Sequence, residues 1–368
     1  MNSNVVTILQ NLIQIPSESG NEAEIQKYIF NYLTNLGYNP LFVQENIVLV
    51  IPGKDRNKAV IFNAHVDTVS AGNESLWTSS PYDERIDDGR IYGLGSSDEK
   101  ACAATLLAMA ETYLIQVPAC DVILTFVVNE ETDGSGTAQF VEYYNANLRA
   151  QYTTVAGIFG EPTDAEKIYI AHRGGITIHI TTYGDSGHAS QPEKIKTHAV
   201  KQMLEVSNRM EELAKELARD FEHPVLGVPT IACMTTINAG KSTNKFPDSC
   251  NATFDLRNTP GLTREIIDER THRVLEGINC KIEMNELRLA CGYTEPEDPI
   301  VKTVTKIVGK PALISKFSTD MLFFTVAGIP GLIYGPGTEH CIHQPNEFCE
   351  IDNLERCLGE YLRIVEEY

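Results

Sequence analysis

Residues Asp121 to Val128 read Asp-Val-Ile-Leu-Thr-Phe-Val-Val, a strand-length run that is almost wholly apolar. A strand of that kind has to be covered on both faces, as in a parallel sheet flanked by helices. Where the run stops, the chain turns polar at once, at Asn129, Glu130 and Glu131. Three other short apolar runs behave alike. Ala59–Ala64 ends on His65, and Thr154–Phe159 ends on Gly160 and Glu161. Gly331–Tyr334 leads through Gly335-Pro336-Gly337 to His343. In open α/β sheets ligands bind outside the carboxyl ends of the strands. These widely separated polar residues are therefore expected at one shared site.

Helix signals lie between the strands. Ser17–Asn21 offers several N-cap candidates before an apolar period through Ile25, Tyr28, Ile29 and Leu33, which Gly37 ends. Lys100–Val117, rich in Ala and Leu, predicts a buried helix. The middle of the chain has another rhythm. Gly175–Tyr183 alternates apolar and polar, and His198–Ala218 carries a helical period. Strands are predicted at Thr230–Asn238 and Cys250–Arg257, a helix near Thr263–Leu275 and a strand near Cys280–Met284. That order, β-α-β-β-α-β, is ferredoxin-like. The expected fold is α/β: a catalytic domain (1–174 and 287–368) with a mostly parallel sheet, and an inserted ferredoxin-like α+β domain (175–286).

The chain has 368 residues, enough for two domains, with 42% hydrophobic and 22% charged residues. Its formal net charge of −20 argues against nucleic acid or an anionic membrane as partner, since phosphate binding needs a basic surface. No apolar run approaches the ~20 residues of a membrane span. Val5–Ile13 is interrupted by polar residues, as an amphipathic helix is and a signal peptide is not. The 9 cysteines lack CxxC spacing, and Cys102 and Cys233 read as small core residues. Cys341 and Cys349, flanking His343, are given structural roles. A reducing, cytoplasmic location is expected. No GxxxxGK[ST] loop is present, which disfavours a nucleotide-binding α/β protein.

Two imidazoles and several carboxylates are what a pair of zinc ions needs, with one carboxylate left to handle a proton. In His65-Val-Asp67 the side chains two apart share a face, so Asp67 can accept the imidazole N–H remote from a metal. Glu130 and Glu131 diverge in direction, so one can ligate while the other faces bound water. Taken alone, the pair reads as an exposed acidic loop and Asp98 as a helix-terminal partner.

Taken together, His65-Val-Asp67, Gly93-Leu-Gly-Ser-Ser-Asp98-Glu-Lys100, Asn129-Glu130-Glu131-Thr132, Gly160-Glu161-Pro-Thr163, Gly187-His188-Ala-Ser190 and His343-Gln-Pro-Asn-Glu347 resemble the dizinc aminoacylase and carboxypeptidase family over essentially the whole chain. The resemblance implies two Zn2+ per subunit, with Co2+ as a substitute. His65, Asp98 and Glu161 would hold one ion, and Glu131, His343 and the bridging Asp98 the other. Glu130 would be general base and then acid, and Asp67 would support His65. His188 would polarise the scissile carbonyl in the partner subunit's site of a homodimer. Arg257 and Asn244 match positions that contact the substrate carboxylate, and Arg173 is a further candidate. The implied reaction is hydrolysis of an N-acyl amino acid, with N-acetylornithine first, in amino-acid biosynthesis. Desuccinylation of succinyl-diaminopimelate and di- or carboxypeptidase activity are the alternatives, and an inactive metal-binding protein is the reading from another class. Two departures stand out: Glu99-Lys100-Ala101 where the family usually has Met-Lys-Gly, and Phe317–Met321 in place of a glycine-rich turn with an arginine.

Overall fold

The computed structural model describes residues 4–288 and 290–368, without side-chain detail at 231–233 and 286–288. The chain divides into two compact units: residues 1–171, 292–315 and 319–368, and residues 172–291 with 316–318.

The first unit is built on a sheet with nine strands among the described residues. Its centre is parallel: Cys120–Val127, Asp55–His65, Thr154–Phe159 and Gly331–Ile333 lie side by side in that order. All eight residues of Cys120–Val127 are buried, as the apolar run demands. Along Asp55–His65 the side chains alternate between two cores. Val60, Phe62 and Ala64 pack with the helices Val5–Ile13, Ala23–Asn35, Lys100–Thr112 and Ile351–Glu367. Ala59 and Ile61 pack with Phe140, Tyr144, Met321 and Phe324 on the opposite face. The mixed α/β architecture, a mostly parallel sheet flanked by helices, is the one expected.

Two local expectations are corrected. The helix after Asp98 spans Lys100–Thr112, not Lys100–Val117. Leu114, Ile115 and Val117 are exposed, and Pro118 disfavours helical backbone in the residue before it. The helix expected after Ser17–Asn21 begins at Ala23 with Glu22 at its N-cap and no side-chain cap. Ser19, a cap candidate, instead donates its hydroxyl to Asp67 Oδ2 at 2.7 Å.

The second unit has an antiparallel sheet ordered Thr230–Ala239, Ser249–Arg257, Gly175–Tyr183, Cys280–Arg288. The helices Ala199–Asp220 and Arg264–Val274 supply its second layer. Ile176, Ile178 and Ile180 meet Met203, Val206, Leu213 and Ile267 in one core. The main segment of the unit runs from His172 to Cys291, wider than the expected 175–286, and residues 316–318 join it. Short contacts account for the extension. The Arg173 guanidinium donates to Leu226 O at 2.8 Å, Asn258 N donates to Gly174 O at 3.1 Å, and the Cys291 thiol donates to Asn258 O at 3.6 Å. Cys102, Cys341 and Cys349 are buried thiols, whereas the Cys233 side chain lies outside the described residues.

Leu213 is fully buried in the second unit. Leu213→Ala is expected to destabilise that unit by about 2–5 kcal/mol, readable as a lowered urea midpoint with unchanged far-UV signal before the transition.

Candidate metal centre

The register of the parallel strands brings the acidic clusters together. His65 pairs with Val127, and Asn63 with Phe159. His65, the loop carrying Glu130 and the loop carrying Glu161 thus emerge side by side at one sheet edge. Asn129 turns the chain there with a φ of 60°, and its carbonyl accepts the amide of Gly134 at 2.8 Å. Gly160 and Gly335 allow the loops to close on one another. A Cβ at 335 would lie 1.9 Å from Gly160 O, and one at 160 would lie 1.8 Å from Cys102 Sγ.

At the centre is Asp98. Its Oδ1 is 3.0 Å from His65 Nε2, and its Oδ2 is 3.2 Å from His343 Nε2. Glu131 Oε1 also reaches His343 Nε2, at 3.0 Å. The ligating atoms of His65, Glu130 and Glu161 lie within 4.8 Å of one another, as do those of His65, Asp98 and Glu131. One carboxylate offering an oxygen to each of two imidazoles, ringed by three more carboxylates, fits a pair of divalent cations. Glu130 is close enough to His65 and Glu161 to ligate as well as to handle a proton. His340, three residues before His343, packs edge-on against Phe348 at 5.6 Å.

Asp67 has more to do than sequence reading foresaw. His65 Nδ1 lies 3.0 Å from the Asp67 carbonyl and 3.5 Å from its carboxylate. The fully buried carboxylate accepts the amides of Glu130 and Glu131, each at 3.0 Å, together with the Ser19 hydroxyl. It therefore fixes the imidazole and the Glu-Glu loop at once. Glu347 holds the Asp98 loop in the same way, accepting the amides of Gly95, Ser97 and Asp98 at 2.9, 2.7 and 2.9 Å. Its place four residues after His343 was the only sequence signal. Burial pushes the Glu347 carboxyl up to about 7, and burial pulls the Lys100 ammonium down to about 7 while its Nζ donates to Ile15 O.

The charges answer one another. Burial opposes ionisation of Asp98, but His343 and His65 hold it below the usual carboxylate range. Burial and neighbouring acids push Glu161 well up and Glu131 up. Burial works against a charged His65, yet Glu99, Asp67 and Asp98 raise it well above its ordinary value.

The other predicted residues belong to the second unit. His188 is exposed, its Nδ1 2.7 Å from Ser190 Oγ, on a two-residue strand paired with Lys245–Phe246. Asn244 is beside it, its carbonyl accepting the Ala189 amide at 2.9 Å. Arg257 pairs with Asp255 at 2.9 Å and is half exposed, while Arg173 is bound to the Leu226 carbonyl.

A parallel sheet whose loops gather two histidines and several carboxylates defines a metallohydrolase-type site, and known proteins agree. The chain belongs to peptidase family M20/M25/M40, whose model matches residues 61–367. It is accordingly an enzyme of the metallopeptidase and amidohydrolase kind. It is 28% identical to an acetylornithine deacetylase of Proteus mirabilis over 95% of this chain and 93% of that one. An acetylornithine deacetylase of Buchnera aphidicola is 26% identical over 94% and 93%. In fold the chain is similar to aminopeptidase PepT from Bacillus cereus, with TM-score 0.78, 21% identity and 99% and 98% coverage. It is also similar to a dinuclear metal-binding peptidase of the M20 family from Bacillus subtilis, with TM-score 0.71, 16% identity and 98% and 96% coverage.

The hydrogen bonds to Asp98 and Glu131 push His343 up to about 10, against the opposing effect of burial. A folded-state value above the unfolded one stabilises fully below about pH 6.5, and that stabilisation is lost as pH rises toward 10. An imidazole that binds a metal must be neutral, so if His343 takes up a divalent cation near pH 7.5, protons are expected to be released. Calorimetry in two buffers of different protonation enthalpy checks this, and buffer-independent heats would contradict it.

Proposed function

We propose that this protein is a two-zinc deacylase that cleaves the amide of an N-acyl amino acid, with N-acetylornithine as the leading substrate. The observation that carries the proposal is Asp98, shared between His65 and His343. Two divalent cations, when bound, supply Lewis acidity that polarises the amide carbonyl and acidifies water. In this reading His65, Asp98 and Glu161 would hold one cation, and Asp98, Glu131 and His343 would hold the other. Glu130 takes the proton of the attacking water and returns it to the departing nitrogen. Asp67 keeps Glu130 on station through the Glu130 amide. His188 supports the developing oxyanion in the partner subunit's site of a homodimer. Arg257 and Asn244 receive the substrate carboxylate, for which a guanidinium fork is suited, with Arg173 as a further contact.

The acetylornithine deacetylases among its relatives support the choice of acyl group. Its likeness in fold to aminopeptidase PepT and to a tripeptidase from Staphylococcus aureus favours short peptides as the second substrate class.

Glu130→Ala is expected to keep its zinc and lose turnover by about 10²–10⁴-fold. Metal content and hydrolysis are to be measured together, on N-acetylornithine, N-succinyl-diaminopimelate and several dipeptides, before and after chelation. Wild-type turnover in Glu130→Ala, or cleavage that survives complete metal removal, would sink the proposal.

A further inference from the structure

We propose that Glu99 sets the charge of the metal centre from outside the ligand set, raising the affinity of the His65 side for its cation. This inference rests on the two-cation reading above. Glu99 is only 2% exposed, and its Oε2 lies 3.7 Å from His65 Nε2, the nitrogen that also faces Asp98. Its other oxygen, Oε1, is buried, with the Cys102 thiol, a weak donor, against it.

The ordinary roles for an acid at this position are filled by other groups. Glu99 stands at the N-cap of the Lys100–Thr112 helix, but its side chain makes no capping hydrogen bond. Its backbone carbonyl accepts the first amides of the helix, those of Cys102 and Ala103, at 3.0 and 3.3 Å. No Lys or Arg pairs with the carboxylate among the described residues. Lys100, the next residue, is engaged with Ile15 O, and among the described residues the basic side chain paired with Glu99 is His65. The far side is packed tightly, since a Cβ on Gly160 would come 3.0 Å from Oε1. Asp98, Glu130 and Asp320 add repulsion to the cost of burial.

A carboxylate buried among other acids and answered by a weak thiol donor and one imidazole is unfavourable, and the arrival of a cation relieves it. The group that destabilises the centre without metal is thus the one that strengthens it with metal. Its carboxylate lies on the cation-facing side of His65, beside Nε2, so its influence is electrostatic, on the ion that His65 would hold. Carboxylates outside a ligand set but beside its histidines commonly change metal affinity by about 10–100-fold.

The test compares the full-length wild-type protein with Glu99→Gln, each stripped with a chelator and titrated with zinc against a chromophoric competitor. Stoichiometry is read by mass spectrometry, and thermal unfolding is followed stripped and reloaded. The expected result is two zinc ions in the wild type and about 10–100-fold weaker binding of one of them in Glu99→Gln. The stripped variant should unfold no lower than the stripped wild type, and its gain on reloading should be smaller. A packing defect would instead lower both forms equally, and that outcome overturns the proposal, as does wild-type zinc affinity in Glu99→Gln. If the amide prevents folding, Glu99→Met, similar in size and uncharged, carries the same comparison. A wild-type protein that binds no zinc would overturn the two-cation reading itself, a result distinct from failure of the Glu99 proposal.

Discussion

Asp98 gives one oxygen to His65 and the other to His343, two imidazoles that arrive from opposite ends of the chain. The acids around it repel one another, and a buried carboxylate is tolerated only where charge or hydrogen bonds answer it. The rest of the first unit is arranged to meet that demand. The parallel strands deliver His65, Glu130 and Glu161 to one edge through their register. The Ala-rich helix that begins at Lys100, buried from Lys100 to Ala110, presents its positive end to Asp98 and Glu99.

Two further carboxylates work on backbone rather than on metal. Asp67 accepts the amides of both Glu130 and Glu131, and Glu347 accepts three amides of the 95–98 loop. Each converts a flexible loop into a fixed one where two residues must be held to fractions of an ångström. The N-terminal segment joins this scaffold through Ser19, and Glu22 accepts the Asn129 amide at 3.3 Å. The centre therefore depends on residues from both ends of the chain as well as on its ligands.

Much of this was legible in the residues. The apolar run before Asn129 announced a doubly covered strand, because solvent-facing positions do not tolerate so many aliphatic side chains. Thr154–Phe159 and Gly175–Tyr183 have the predicted limits, since period and flanking glycines mark them on their own. The helix after Lys100 was harder. Its composition continues past Thr112, and only tertiary exposure of Leu114 and Ile115 with Pro118 beyond ends it. Ser19 looked like a cap because a hydroxyl's local and distant partners are indistinguishable in sequence. Glu347 stood in a recognised motif, but its three amide partners lie about 250 positions earlier in the chain.

The sequence by itself determined the residue types and their order: two histidines and a set of acids, each following a strand-forming run, and a β-α-β-β-α-β segment between them. These are local properties, written in side-chain periodicity and in the chemistry of single residues. Only the tertiary structure decided which oxygen of Asp98 meets which imidazole, that Asp67 grips the Glu-Glu loop, and that Glu99 is buried against His65 and the Cys102 thiol. Those outcomes depend on strand register and on loops closing over glycine, where displacements of an ångström exchange one partner for another. Distance in space, unlike period along the chain, is set only once the whole sheet is assembled.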